Sequence, residues 1–339
     1  MPALVDLAVP VIGAPMAGGP TTPALAAAVS NAGGLGFLAA GYLTPERFAE
    51  DIATARSLTT GPLGVNLFVP QACSATSAQL DAYREALAPL AERFGVEPGL
   101  PYPDDDAWAA KLEVVADTRP QVASFTFGCP SGEVLAWLAG VGVLTAVTVT
   151  GRAEAEQAVA AGAAALVAQG PEAGGHRSVF DPARRPPTAP LDELLADLTD
   201  LGVPVIAAGG IGDAAAVARV LAGGAAAAQV GTALLLADEA GTKPLHREAL
   251  RDSSFDDTVV TACFTGRYAR SLVNGFAARY DAIAPLGYPQ VHQITAPIRA
   301  AAVAAGDPQH TSLWAGTSWR GIDAGPAGDI VAALSDRVL

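Results

Sequence analysis

Short apolar runs recur along the first two thirds of the chain, and polar or glycine-rich segments separate them. The runs show no alternation of polar and apolar positions, which is typical of parallel strands buried on both faces. The separating segments carry helix-start signals: Thr22-Pro23 and Thr44-Pro45 each place a capping Thr before a Pro in the first turn. The predicted strands cover residues 9–14, 33–38, 63–68, 122–127, 143–149, 165–169, 203–208 and 226–230.

This alternation of strands and helices predicts the fold class. Eight repeats at a spacing of roughly 30 residues favour an α/β fold of the (β/α)8 TIM-barrel type over a doubly wound sheet. The barrel is predicted over residues 1–235, with a helical insertion at about 71–118. Residues 236–339 have little strand pattern and contain helical stretches around 266–276 and 295–305. We therefore predict a C-terminal extension of appended helices and loops that packs on the barrel.

Composition narrows the classes of partner and compartment. The chain has 339 residues, of which 51% are hydrophobic, so a large core is available. The net charge of −14 argues against nucleic acid or an anionic membrane as partner, because both attract clustered Lys and Arg. Three scattered cysteines and four histidines show no zinc spacing and no disulfide framework, which predicts a cytoplasmic protein without a metal. Residues 1–17 lack a secretory signal, and a homodimer is left open as the assembly.

Two glycine-rich loops follow the last two predicted strands. They contain Gly209 and Gly210 after the seventh strand, and Gly231 and Thr232 after the eighth. Backbone amides in these two loops form the recurring phosphate site of such barrels. The alternative is that the glycines serve only as turns and helix caps. A dinucleotide fingerprint around residues 210–215 is discounted, because no acidic residue follows about 20 positions later.

The loop after the sixth predicted strand carries the strongest candidate for chemistry. It contains three glycines, Glu172 and His176, and an imidazole can accept a proton from a weakly acidic carbon near neutral pH. The alternative is a histidine that is only hydrogen-bonded in its loop. Glu172 either orients His176 or holds the loop. Asn66 and Gln169 end apolar strands, where their amides suit either a ligand's heterocyclic edge or a core network. The remaining histidines, His246, His292 and His310, are assigned no role.

Six motifs in order together resemble the nitronate monooxygenase family, formerly called 2-nitropropane dioxygenases, which are FMN-dependent barrel enzymes. The resemblance runs from about residue 9 to about residue 321. The histidine motif is the most specific of the six, whereas the AAGGI motif is shared with many FMN barrels. The motifs are APMAGG at 14–19, GVNLFVP at 64–70, QGPEAGGH at 169–176, AAGGIG at 207–212, QVGT at 229–232 and FTGRYAR at 264–270.

The resemblance implies an FMN site at the carboxyl-terminal mouth of the barrel and a catalytic role for His176. The histidine would remove the proton next to the nitro group of a nitroalkane or position a preformed nitronate, and O2 would complete the oxidation to a carbonyl compound and nitrite. The residues implied to contact FMN run from the flavin ring to the phosphate: Ala14, Pro15, Met16, Asn66, Gln169, Gly174, Gly175, Gly209, Gly210, Gln229, Val230, Gly231 and Thr232.

Two residues depart from the family pattern, and two other functions are alternatives. Ser178 stands where glycine is frequent, which affects the loop beside the base, and Thr317 stands where glutamine is frequent, which affects substrate contacts. Relatives of the family imply an FMN-dependent NAD(P)H reductase of quinones or enoyl thioesters as the first alternative. A non-enzymatic barrel that binds a phosphorylated ligand is the second.

Overall fold

Eight parallel strands form the centre of the molecule in the computed structural model, which describes residues 7–336. The sheet runs in the order β1-β9-β8-β6-β5-β4-β3-β2, and a parallel bridge between Ile12 and Leu35 joins its two ends. The predicted TIM-barrel fold is therefore confirmed. The strands are β1 (Val11–Gly13), β2 (Gly36–Ala39), β3 (Leu63–Phe68), β4 (Val122–Thr126), β5 (Leu144–Val149), β6 (Ala165–Gln169), β7 (Gly175–His176), β8 (Val205–Ala208), β9 (Ala227–Val230), β10 (Thr258–Thr261) and β11 (Ala269–Leu272).

Helices surround the barrel, and several begin at the residues that the sequence predicts. The Thr22 and Thr44 hydroxyls accept hydrogen bonds from Leu25 N and Arg47 N, so both predicted N-caps are confirmed. The α-helices are Pro23–Asn31, Pro45–Leu58, Ser77–Arg93, Trp108–Thr118, Gly132–Gly140, Arg152–Ala161, Leu191–Leu198, Ala214–Ala222, Pro244–Ala249, Gly275–Tyr280, Gln290–Ala304 and Ala327–Ser335, and 3-10 turns cover Thr199–Leu201, Thr232–Leu234, Asp281–Ile283 and Pro308–His310.

The barrel interior is filled by aliphatic and aromatic side chains. Ile12, Phe37, Val167 and Ile206 share one buried cluster inside it. A second, larger cluster lies between the strands and the outer helices, which explains why the strands are apolar on both faces. Since all eight barrel strands run parallel, their carboxyl ends, and the loops that follow them, meet at one mouth.

The predicted helical insertion divides between two hydrophobic cores. Leu80 and Leu87, on its first helix, pack in one cluster with Phe276 and Ile294 of the C-terminal region. Leu112, on its second helix, belongs to the main barrel core. The C-terminal region is therefore packed against the first helix of the insertion as well as against the barrel.

One strand of the C-terminal region lies where the sequence predicts helix. Residues 269–272, inside the predicted helical stretch 266–276, form β11, which pairs antiparallel with β10 and with β7. β10 pairs with one edge of β11, and β7, from the distant histidine loop, pairs with the other. These strand pairings override the local preference of residues 269–272 for helix. Helix Ala327–Ser335 buries Ile330 and Val331 in the barrel core.

The predicted barrel, residues 1–235, begins with residues 1–6, and the predicted extension, residues 236–339, ends with residues 337–339. Both of these terminal segments lie outside the described residues. Within residues 7–336, none of the helices combines the length and the apolar character needed to cross a membrane.

Candidate functional site

One cavity of about 510 Å³ opens at the carboxyl ends of the barrel strands. The structure brings every site residue predicted from the sequence to its wall, including residues from five barrel strand ends. These residues are Ala14, Pro15, Met16, Asn66, Gln169, Gly174, Gly175, His176, Gly209, Gly210, Gln229, Val230, Gly231 and Thr232. The cavity divides into two ends with different chemistry, which we call the glycine end and the aromatic end.

The glycine end consists of the loops after β8 and β9. Gly209 and Gly210 adopt φ angles of +113° and +68°, so their left-handed backbones require glycine. Within residues 7–336 the amides of Gly209, Gly210 and Gly231 donate no hydrogen bond. Lys243 lines the same cavity. Free amides at a loop that leads into a helix, here Ala214–Ala222, are the arrangement that binds phosphate.

Asn66 and Gln169 differ in how much hydrogen-bonding capacity they leave for a ligand. Asn66 is buried, and its Nδ2 donates to the Ser124 and Thr126 hydroxyls at 2.9 and 3.0 Å, which holds the amide oxygen available as an acceptor. The Gln169 amide is largely used by its own loop: Nε2 donates to His176 O and Oε1 accepts from Ser178 N, both at 2.9 Å. Gln169 therefore shapes the histidine loop as well as lining the cavity.

His176 lies in β7, the short strand that joins the barrel loop to β11. Its Nε2 lies 3.0 Å from Thr265 Oγ1, and the Thr265 hydroxyl also lies 3.2 Å from Arg267 O. Glu172 makes no hydrogen bond with His176 in the described part of the chain; its backbone oxygen instead accepts from Thr317 N at 3.0 Å. Thr265, which the sequence analysis did not single out, is therefore the residue that orients the imidazole.

Aromatic side chains enclose His176 and together with it form the aromatic end of the cavity. The ring centroids of Phe127, Tyr288 and Trp314 lie 5.3, 5.7 and 5.5 Å from that of the imidazole. Burial lowers the pKa of His176 to about 3, and the nearby charge of Arg267 contributes in the same direction. The imidazole is therefore neutral at physiological pH, which is the form that can accept a proton.

Buried arginines hold the loop around the histidine. The Arg267 guanidinium lies 4.1 Å from the Phe127 ring centroid and donates to Val179 O. Arg270 donates to Pro171 O at 2.8 Å. Both guanidinium groups bind backbone carbonyls, so they fix the path of the chain around His176.

Ser178 and Thr317, the two residues that depart from the family pattern, lie in different environments. Ser178 is fully buried; its hydroxyl accepts from Phe127 N at 3.1 Å and lies 3.3 Å from Thr148 O. Ser178 therefore ties the histidine loop to the ends of β4 and β5. Thr317 is exposed, and its hydroxyl lies near Gly210, so it is next to the glycine end of the cavity.

Several cavity residues come from parts of the sequence that showed no motif for them. His246 and His292, which were assigned no role, both line the cavity, whereas His310 lies 2.9 Å from Asp307 and is not among the lining residues. Tyr42 and Arg299 also line it. His246, His292 and Arg299 lie on helices of the C-terminal region and follow no barrel strand directly, so the strand-end rule had no means to find them. Tyr42 comes three residues after β2 (Gly36–Ala39), so the same rule could have found it.

Known proteins resemble this chain over nearly its whole length. The family model for nitronate monooxygenase matches residues 1–336. A nitronate monooxygenase from Paraburkholderia phytofirmans is 40% identical over 96% of this chain and 91% of its own length. A probable nitronate monooxygenase from Staphylococcus aureus is 36% identical over 99% of this chain and 96% of its own length.

Solved structures also resemble this chain over nearly its whole length. A nitroalkane oxidase from Streptomyces ansochromogenes is 44% identical, with a TM-score of 0.94 over 99% of this chain and 97% of its own. FabK from Thermotoga maritima is 27% identical, with a TM-score of 0.77 over 98% of this chain and 93% of its own. The family match covers residues 1–336, and the residues that the family resemblance predicted for the site line one cavity. This chain belongs to the nitronate monooxygenase family, a family of flavoenzymes.

Proposed function

We propose that this protein oxidises alkyl nitronates, and nitroalkanes through their nitronates, with O2 and FMN, yielding a carbonyl compound and nitrite. One observation carries the proposal: a neutral, buried imidazole faces the same cavity as a set of glycine amides that have no hydrogen-bond partner within residues 7–336. The first group can take a proton from carbon, and the second can hold the phosphate of a flavin. Both requirements of the family's activity are thus met within one enclosure.

The cavity fits FMN by the chemistry of its walls. The amides of Gly209, Gly210 and Gly231 would hold the phosphate, with Lys243 supplying positive charge. The fixed Asn66 oxygen would accept a hydrogen bond from the flavin's ring N–H. When bound, FMN supplies the electron transfer that protein side chains cannot perform.

His176 would act as the base through Nδ1. When the Thr265 hydroxyl donates to Arg267 O, it accepts from the imidazole at Nε2, which leaves Nδ1 without a hydrogen. Nδ1 has no hydrogen bond within residues 7–336, so it is available to the proton on the carbon next to a nitro group. The rings of Phe127, Tyr288 and Trp314 would exclude bulk water from this proton.

The experiment is a visible spectrum of the purified protein followed by an oxygen-electrode assay with a series of short preformed nitronates. We expect a flavin spectrum with FMN as the released cofactor, O2 consumption that depends on the nitronate, and nitrite as product. A flavin-loaded protein that consumes no O2 with any nitronate of the series would contradict the proposal.

The likeness to FabK keeps one second candidate, an FMN-dependent NAD(P)H reductase of quinones or enoyl thioesters. Anaerobic mixing with NADH or NADPH separates the two, because rapid bleaching of the flavin supports the reductase and no bleaching excludes it. A colourless protein that takes up no FMN would instead support the non-enzymatic phospho-ligand barrel. The cytoplasmic location and the homodimer stay predictions.

A further inference from the structure

The wall of the cavity carries positive charge without a carboxylate. Among its lining residues in the described part of the chain, the charged ones are Lys243 and Arg299, and none is Asp or Glu. Lys243 directly precedes the helix Pro244–Ala249, whereas Arg299 projects from the helix Gln290–Ala304. The proposed function uses Lys243 as a source of positive charge for the FMN phosphate. Arg299 has no such explanation.

Among residues 7–336, Arg299 forms hydrogen bonds only with neutral groups. Its Nε donates to Thr295 Oγ1 at 3.0 Å, and Nη1 donates to Ser312 Oγ at 3.3 Å. Its Nη2 donates to His292 Nδ1 at 3.1 Å. No ion pair of Arg299 occurs within residues 7–336. A shielded guanidinium without a counter-charge is costly to maintain, and an anionic ligand would supply that counter-charge.

Arg299 also determines the tautomer of His292. A guanidinium has hydrogens to donate and no acceptor, so His292 Nδ1 must be the unprotonated nitrogen and Nε2 must carry the hydrogen. Burial and Arg299 lower the pKa of His292 to about 3, so the ring stays neutral. Nε2 has no protein partner in the described chain. His292 therefore presents a fixed N–H donor at the cavity wall.

His292 belongs to the same aromatic enclosure as His176. Its ring stacks on Tyr42, with centroids 4.6 Å apart and planes 8° from parallel. The Tyr42 hydroxyl lies 3.3 Å from that of Tyr288, whose ring packs against His176. The two imidazoles thus lie on either side of a tyrosine pair, one with a free acceptor and the other with a free donor.

We propose that His292 Nε2–H, with the charge of Arg299 behind it, binds the oxygen atoms of the substrate's nitro or nitronate group. This inference rests on the proposed function and assigns the substrate's orientation. The reacting carbon would then face His176. Arg299 is a positioning residue in this arrangement, because it acts through the tautomer and the field at His292.

The electron flow explains why a donor is needed at that place. When His176 takes the proton from carbon, the C–H electron pair becomes the second C–N bond. One N–O π pair then moves onto oxygen, so that the negative charge ends on the nitro oxygens. A fixed neutral donor next to a cation stabilises this charge more than it stabilises the neutral nitroalkane. A preformed nitronate carries the charge already and would bind the same group directly.

The test uses nitrate, a planar anion that cannot be oxidised, titrated into the FMN-loaded protein and followed by the perturbation of the flavin spectrum. His292→Phe keeps an aromatic ring to stack on Tyr42 and removes the donor, whereas His292→Gln keeps an N–H donor. We expect the phenylalanine variant to raise the nitrate Kd about 10- to 100-fold, the range of a hydrogen bond to a charged group. The glutamine variant should stay within about threefold of the unaltered protein.

His310→Phe is the matched control, since His310 pairs with Asp307 and is not among the lining residues of the cavity. It should leave the nitrate Kd unchanged. Arg299→Met should weaken nitrate binding, and its effect should be smaller in the His292→Phe background than in the unaltered protein, because the part that acts through the His292 donor is already lost. Thermal unfolding of each variant separates this effect from a loss of folding.

The outcomes separate this site from the proposed function. Equal nitrate affinity in His292→Phe and the unaltered protein, or no nitrate binding to the latter, would overturn the anion site even if nitronates are oxidised. Additive effects of the Arg299 and His292 changes would overturn the positioning role of Arg299. If the predicted Kd pattern appears but no nitronate is oxidised, the anion site stands and the proposed function fails.

Discussion

The two ends of the cavity are built by different means. The glycine end is made of backbone, in two loops at neighbouring strand ends. Within residues 7–336 the amides of Gly209, Gly210 and Gly231 donate no hydrogen bond. Gly209 and Gly210 are left-handed, and neither position leaves room for a side chain. The aromatic end is made of side chains from distant segments, with Tyr42 after the second barrel strand, His176 after the sixth, and His292 in the C-terminal region. One end follows from local sequence, and the other depends on long-range packing.

Because the two ends are built differently, we expect them to tolerate different substitutions. At the glycine end a Cβ on Gly209 or Gly210 would meet atoms of the loop after β6, so even a small side chain should shift the backbone amides that line the cavity. At the aromatic end each group has its own hydrogen-bond partner, so removing one group should change one chemical property and leave cofactor binding intact.

The largest effect is expected for His176→Ala. We expect kcat/KM for neutral nitroalkanes to fall about 10²- to 10⁴-fold, because the variant lacks the base that takes the proton. Preformed nitronates should be affected much less, and FMN content should be unchanged. Oxygen consumption with both forms of one substrate measures this. Undiminished oxidation of the neutral form would contradict the role of His176, and His310→Ala provides the control.

The next effect is expected for Gly210→Ala, compared with Gly306→Ala. Both residues have nearly the same φ, +68° and +67°, but a Cβ at Gly210 lies 2.8 Å from Glu172 Cβ, whereas a Cβ at Gly306 meets nothing within 4 Å. The backbone strain is thus matched, and only Gly210→Ala should weaken FMN binding, by about tenfold or more, as overpacking does. Quenching of FMN fluorescence measures the affinity. Equal loss in both variants would show strain alone to be the cause.

A smaller effect is expected for Thr265→Val, which removes the hydroxyl that lies 3.0 Å from His176 Nε2. Loss of a single neutral hydrogen bond predicts a fall of about 3- to 10-fold in kcat/KM for neutral nitroalkanes, with FMN affinity unchanged. Thr265→Ser should restore the rate. Failure of serine to restore it would mean that the threonine acts through packing instead of through orientation.

The smallest effect is expected from pH. His176 is active when unprotonated, and burial lowers its pKa to about 3, so the active form is lost only as pH falls towards that value. The kcat/KM of a nitroalkane that stays neutral should therefore be flat between about pH 5 and 8, whereas an ordinary histidine would give a limb near its usual pKa. A limb in that range would show that the bound cofactor restores the basicity of the imidazole.

Much of the fold follows from the sequence because its signals are local. β3 (Leu63–Phe68) and β6 (Ala165–Gln169) have the predicted bounds, and Thr22 caps its helix as expected. An apolar run or an N-cap depends on neighbouring residues alone. The histidine loop was also visible, because parallel strands end at a shared mouth. The helix predicted over residues 266–276 was wrong at β11 (Ala269–Leu272), because pairing with both β10 and the remote β7 outweighs local helical preference.

The order of apolar runs and motifs along the chain was enough to predict the barrel, the family, the glycine loops and the histidine in the same cavity. Packing was needed to show that Thr265 Oγ1 lies 3.0 Å from His176 Nε2, that Glu172 makes no hydrogen bond with His176 within residues 7–336, and that Arg299 sets the tautomer of His292. The physical reason is the range of the interactions. Backbone conformation is fixed within a few residues, whereas burial, ring stacking and a hydrogen bond between distant side chains exist only after the chain has packed.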